Sequence, residues 1–250
     1  MKRSEPSPGE DETLDSFYHG RVLLLQKKRG YRFSVDAPLL ADFIRTRPGD
    51  RLLELGAGNG IISLLLSRKP FQRIVCLEVQ PGLADLARRN VALNRLEERI
   101  MVLEQDFRAF EPKERFDLVF SNPPYIKGRG GHLSRSEEKS IAKHEIKGDI
   151  FDIMRTAGRV LEKDGRACFV FPVKRRGDFD MALEKVGLKM KTLRLVHSRR
   201  GEPARWFLSE CRFEAPCQEV LPPLRIYEGK GEYAPEMKAI FSGEDRGPDY

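Results

Sequence analysis

Four consecutive residues carry the clearest chemical purpose in this chain. Asn122, Pro123, Pro124 and Tyr125 follow directly on the apolar run FDLVFS at 116–121. Two prolines in succession neither continue a ladder nor start an interior helical turn, so they lock the backbone into a rigid extended corner. Such a corner holds the Asn122 side-chain oxygen and the Pro123 carbonyl as fixed acceptors, with the Tyr125 ring available as a flat stacking surface. Two acceptors and a ring suit a planar amino group conjugated to a base or an amide: its N–H bonds are held while its face is clamped.

A second set of residues reads as a ligand cradle. Arg51–Leu55 form a short apolar run, and Gly56, Gly58 and Gly60 then punctuate a turn leading into Ile61–Leu66. Glycines at this spacing let the backbone turn tightly and bring free amides close to a ligand. Alone, the turn serves equally as a structural bend. Glu78, at the end of the next apolar run RIVCLE (73–78), stands where a ribose-binding carboxylate is expected. The pair predicts a nucleoside-containing cofactor over the ends of two neighbouring strands.

Both sets need a frame to bring them together, and the chain supplies a regular alternation of strands and helices. Strands are expected at 51–55, 73–78, 100–104, 116–121 and 166–171, with helices at 60–68, 81–93, roughly 141–162 and 178–186. A late pair, 188–196 and 205–213, fits a reversed edge on a mostly parallel α/β sheet of seven strands. Upstream, residues 1–12 read as a disordered tail. Residues 13–35 read as a hairpin or cover with strands at 22–26 and 31–35, and Asp36 as the cap of a helix starting at Ala37. The main domain spans 36–241. Residues 126–140 read as a mobile loop, the tail from 216 as irregular and pinned by Tyr227 and Tyr233, and 242–250 as loose.

Composition narrows the setting. Net charge is +7 and the pI is near 9.3, which suits a polyanionic partner. Basic groups gather at Lys27–Arg29, Lys174–Arg176 and His197–Arg200, each of which serves equally as a solvated face. No apolar run is long enough to cross a membrane, and the N-terminus lacks the apolar core of a secretory signal. Cys76, Cys168, Cys211 and Cys217 show no CxxC pairing, so no metal is expected and a reducing cytoplasm fits.

The order LELGAGNG (53–60), Glu78, Asp106-Phe107 and NPPY (122–125) resembles the class I S-adenosylmethionine-dependent amino-group methyltransferases. The segments 13–43, 78–100, 141–145, 193–210 and 222–240 extend the resemblance to the tRNA1(Val) (adenine-N6)-methyltransferase family, over about residues 13–241. This resemblance implies a Rossmann-like class I methyltransferase fold, S-adenosylmethionine as methyl donor, and an RNA partner, tRNA first; the oligomeric state stays open, with a monomer favoured.

By resemblance, Gly56, Gly58 and Gly60 would curve around the donor, with Glu54 near its methionine amine and Phe33 bordering the methionine end. Glu78 would bind the ribose hydroxyls, Asp106 the adenine N6, and Phe107 would lie beside the ring. Asn122, Pro123 and Tyr125 would hold the target amino group. Lys127, Arg129 and Arg135, which follow Tyr125, are candidates for substrate backbone contacts, and His144 for a phosphate contact or closure over the site. His144 serves equally as a surface or capping residue. Glu54 stands where Asp is common in the family, and 172–179 lacks the pattern of better-known members. NPPY-like corners also serve protein-glutamine N5-methyltransferases of the release-factor type and rRNA guanine-N2 enzymes, and these stay open as alternatives.

Overall fold

The computed structural model describes residues 7–29, 32–123, 148–229 and 231–244. At the N-terminus, β1 (Glu12–Phe17) pairs antiparallel with β2 (Val22–Lys27), from Glu12↔Lys27 to Phe17↔Val22. The hairpin thus lies earlier than expected: its turn is residues 18–21, and 32–34 are not a strand. β1 (ETLDSF) is mostly polar and escaped the apolar pattern, whereas YRFSV resembled a strand without having a partner edge. Phe33 instead sets its ring 5.3 Å from Phe17, edge to face.

Glu12, placed within the expected disordered tail, is 5% exposed. Its carboxylate takes a two-pronged contact from Arg89 (2.8 and 2.7 Å) and one from Lys27 (3.1 Å). The hairpin is therefore anchored to the helix carrying Arg89 by a shielded ion pair.

From Asp36 onward the chain alternates as anticipated. The helices are α1 (Asp36–Phe43), α2 (Ile61–Leu66), α3 (Pro81–Leu93), α4 (Ile150–Val160), α5 (Arg176–Val186) and α6 (Pro235–Ser242). The strands are β3 (Arg51–Leu55), β4 (Arg73–Glu78), β5 (Ile100–Glu104), β6 (Phe116–Ser121), β7 (Leu161–Pro172), β8 (Lys189–His197), β9 (Ala204–Arg212) and β10 (Glu219–Arg225). Among the described residues the main sheet has eight strands in the order β10-β8-β9-β7-β6-β3-β4-β5, with only β9 antiparallel to its neighbours.

The expectation of seven strands is corrected by β10, and that of an irregular tail by β10 and α6. β10 carries Pro222 and Pro223, which argue against an interior strand but are tolerated at an edge. The register shifts between Leu221 and Leu224, and the Pro222 carbonyl accepts from Arg194 Nε at 2.9 Å. Arg194 also reaches Glu236 at 2.6 Å, tying α6 to the sheet. Tyr227 and Tyr233 stack at 5.2 Å and 18°.

Strands buried on both faces separate two cores, as a covered parallel sheet requires. Leu40, Ile61, Leu64, Leu118, Phe120 and Met237 fill one side, beneath α1, α2 and α6. Leu53, Val119, Met154, Phe169, Phe179 and Phe207 fill the other, beneath α4 and α5. α1 begins one residue earlier than expected, so Asp36 is its first residue and not its cap: Val35 holds the cap position without a side-chain bond, and the Asp36 carboxylate accepts from Ala37 N at 3.0 Å. α4 starts with a reciprocal cap: Asp152 N donates to Asp149 (3.0 Å) and Asp149 N to Asp152 (3.3 Å). The expected loop 126–140, the first part of the expected helix (141–147), and residues 1–6 and 245–250 lie outside the described residues.

Candidate active site

The turn after β3 is built from three residues in left-handed conformations, Gly56 (φ 72°), Gly58 (φ 59°) and Gly60 (φ 82°). Side chains disfavour this region, so glycine is the economical choice at each position. Gly56 N and Ala57 N both donate to the Leu77 carbonyl, at 2.9 and 3.0 Å, fastening the turn to the end of β4. A Cβ on Gly60 would lie 3.4 Å from that of Ala87, which records the close packing of this turn on α3.

Glu78 closes β4 and spans the floor of a cavity above it. One carboxylate oxygen accepts from Gly58 N at 2.8 Å, the other from Gln80 N at 2.9 Å and Gln80 Nε2 at 3.2 Å. The cavity is walled by Leu55, Val79, Leu83, Phe107 and Ile153, with Gly56, Gly58, Gln80 and Asn122 completing its rim. A carboxylate acceptor beside a flat apolar slot fits a nucleoside: the acid for paired hydroxyls, the slot for a base.

Asn122 reaches this cavity because β6 lies beside β3, with Leu53↔Val119 in register. The wholly buried Ser121 hydroxyl donates to the Leu55 carbonyl at 2.7 Å, locking the two strand ends immediately before both motifs. Five expected site residues therefore converge on one cavity: Gly56, Gly58, Glu78, Phe107 and Asn122.

Phe107 is held from α4, since its carbonyl accepts from Thr156 Oγ1 and Arg159 Nη2, each at 3.4 Å. Asp106, beside it, does not line the cavity. Its carboxylate is gripped by Arg108, with Nε at 3.0 and 2.9 Å and Nη2 at 2.5 Å. That guanidinium holds the Asp106 carboxyl below the usual range.

Glu54, Gly60 and Phe33 also stand back from the cavity walls. Glu54 is 1% exposed and accepts from Ser63 Oγ at 2.5 Å and Cys76 Sγ at 3.6 Å, beneath the glycine turn. Burial pushes its carboxyl up to about 7. Phe33 packs on Phe17 and the α1–α2 core. Pro123 is buried. Pro124, Tyr125, Lys127, Arg129, Arg135 and His144 lie outside the described residues.

Sequence reasoning missed Gln80, Leu83 and Ile153. Gln80 follows Glu78 by two positions, a usable signal. Leu83 and Ile153 carry none, being ordinary apolar helix residues until the sheet brings them together.

The methyltransferase small domain family matches residues 32–192. A tRNA1(Val) (adenine(37)-N6)-methyltransferase of Phocaeicola vulgatus is 28% identical over 235 residues, covering 94% of this chain and 96% of its own length. The protein of the same name from Vibrio campbellii is 26% identical over 204 residues, covering 81% and 84%. A predicted O-methyltransferase of Agrobacterium tumefaciens shares the fold at a TM-score of 0.66 and 24% identity, over 83% of this chain and 96% of that one. So does P. horikoshii TYW2 in complex with MeSAdo, at a TM-score of 0.57 and 14% identity, over 82% and 72%. Matched over residues 32–192, the chain belongs to the methyltransferase small domain family and is an S-adenosylmethionine-dependent methyltransferase.

Proposed function

We propose that the protein methylates the exocyclic N6 amino group of an adenine in RNA, with tRNA as the first candidate. The observation that carries this reading is the position of Asn122 on the rim of the cavity that also holds Glu78 and Phe107. The names of the relatives that span most of this chain support the adenine and the tRNA.

S-adenosylmethionine supplies an electrophilic methyl group when bound. Glu78 would take its ribose hydroxyls, and Phe107 with Leu83 and Ile153 would enclose its base. Asn122 then orients the substrate nitrogen, whose lone pair is otherwise delocalised into the ring. An acceptor on its N–H favours rehybridisation and stabilises the positive charge that develops as the N–C bond forms and the C–S bond breaks. Positioning supplies the rest, and the displaced N6 proton leaves to water.

The test offers labelled S-adenosylmethionine with total tRNA, rRNA and a release-factor protein, followed by nucleoside and peptide analysis. Label in N6-methyladenosine from tRNA is the expected result. Label in a glutamine side chain or in N2-methylguanine would replace this reading with one of its two alternatives.

A further inference from the structure

The cavity occupies only part of the edge on which it lies. β3, β4, β6, β7, β8 and β10 run in one direction, so all their carboxyl ends reach that edge, and β9 begins there. Past β6, the edge continues through Pro172, His197, Ala204 and Arg225, where the donor cavity makes no use of it.

Cations on this stretch are unequally employed. Arg175 and Arg176 are taken by Asp178 (2.9 Å) and Asp180 (2.7 Å). Lys174, Arg200 and Arg225 are exposed and have no carboxylate partner among the described residues. Among the described residues Arg205 hydrogen-bonds only the Ser198 hydroxyl, at 3.5 Å, and it lies 5.4 Å over the Trp206 ring. Arg199, paired to Glu202 at 3.4 Å, also lies 5.4 Å over Tyr227.

Trp206 pairs with Pro172 on one side and Val196 on the other. It is thus two strands from β6, about 10 Å sideways from the strand that presents Asn122. Flat rings each overlaid by a guanidinium, flanked by unemployed cations, have the composition of a single-strand RNA platform: rings stack bases and cations track phosphates. An acidic protein surface would use the cations and leave the rings without a role.

Resting on the RNA reading above, we infer that this rim docks the unpaired nucleotides flanking the target adenine. Trp206 offers the stacking face, since Tyr227 is already stacked on Tyr233 and overlaid by Arg199, while Lys174, Arg200 and Arg225 hold phosphates. The flipped base meets Asn122 beside the donor cavity, and the rim fixes which strand delivers it.

Trp206 is the chain's single tryptophan, so its emission reports on the rim directly. Full-length protein saturated with S-adenosylhomocysteine is titrated with a stem-loop RNA whose loop contains unpaired adenines. Saturable quenching that weakens with salt is expected. The Arg200→Glu/Arg225→Glu variant should raise the RNA Kd by about tenfold or more, and raise the RNA KM with kcat held. Its S-adenosylhomocysteine affinity and melting temperature should match wild type.

Arg45→Glu/Arg68→Glu is the control. Both arginines are exposed in a cleft beside the ends of α1 and α2, away from this rim, with no carboxylate partner among the described residues. Wild-type RNA affinity in the rim variant, or an equal loss in the control, overturns the inference and leaves the RNA reading intact. A wild-type enzyme that labels only protein removes both.

Discussion

The Nδ2 atom of Asn90 lies 2.9 Å from the carbonyl oxygen of Asn59, so α3 holds the glycine turn directly. The same amide donates to the Leu25 carbonyl at 3.1 Å and accepts from Leu25 N at 2.6 Å. Asn94 repeats the exchange with Leu23, at 2.7 and 2.8 Å. Residues i and i+4 of a helix are about 6 Å apart along its axis, and alternate residues of a strand about 6.7 Å. Two asparagines at that spacing therefore act as a surrogate strand for the open edge of β2. The N-terminal hairpin, α3 and the glycine turn become one unit.

Replacing Asn90 by Ala should strand one buried donor and two carbonyls. Unmet buried groups cost about 1–3 kcal/mol each, partly relieved by relaxation, so a loss of about 2–4 kcal/mol is expected. Thermal melting measures it. Calorimetry with S-adenosylhomocysteine should show weaker binding, because Asn59 loses its tether. An unchanged melting temperature would contradict the surrogate-strand account.

Asn122→Ala should separate chemistry from donor binding. The lost acceptor is worth about 2–4 kcal/mol in the transition state, a fall in kcat of about thirtyfold to a thousandfold. S-adenosylhomocysteine affinity should change only a few-fold, since Glu78 and Phe107 stay in place. Single-turnover kinetics alongside calorimetry decide the point, and full turnover in the variant would remove Asn122 from the mechanism.

Glu12 predicts an acid-labile hairpin. Chiefly through Arg89, its carboxyl is lowered from 4.5 to about 2. The folded form therefore binds fewer protons than the unfolded chain between those values. Its stabilisation is complete above about 4.5 and lost as pH falls toward 2. Glu12→Gln should lower the melting temperature at pH 7 and flatten that acid limb, as a pH series of melts would show.

Glu54 carries the opposite sign. Burial raises its carboxyl from 4.5 to about 7, so the folded state holds its proton more tightly than the unfolded chain. Stability should decline as pH rises from about 4.5 to 7, by up to about 3 kcal/mol. Glu54→Gln keeps a partner for Ser63 and should abolish the decline. A wild-type profile flat across that window would mean the charged form is better accommodated than its surroundings suggest.

The local code of this chain lies in patterns that need no partner to be read. Gly56, Gly58 and Gly60 require left-handed backbone, β3 to β6 are short apolar runs between breakers, and α3 falls at its expected bounds, Pro81–Leu93. Contacts between distant segments were not legible. β1 is a polar strand that exists because β2 offers it an edge, and β10 survives two prolines because it lies at the margin of the sheet. Asp106 and Glu54 are acids whose neighbours, Arg108 at one and Ser63 with Cys76 at the other, turn them from the cavity walls. Local conformational preference is written residue by residue. Which edges meet, and which buried carboxylate faces which donor, is decided only when the sheet closes and excludes water.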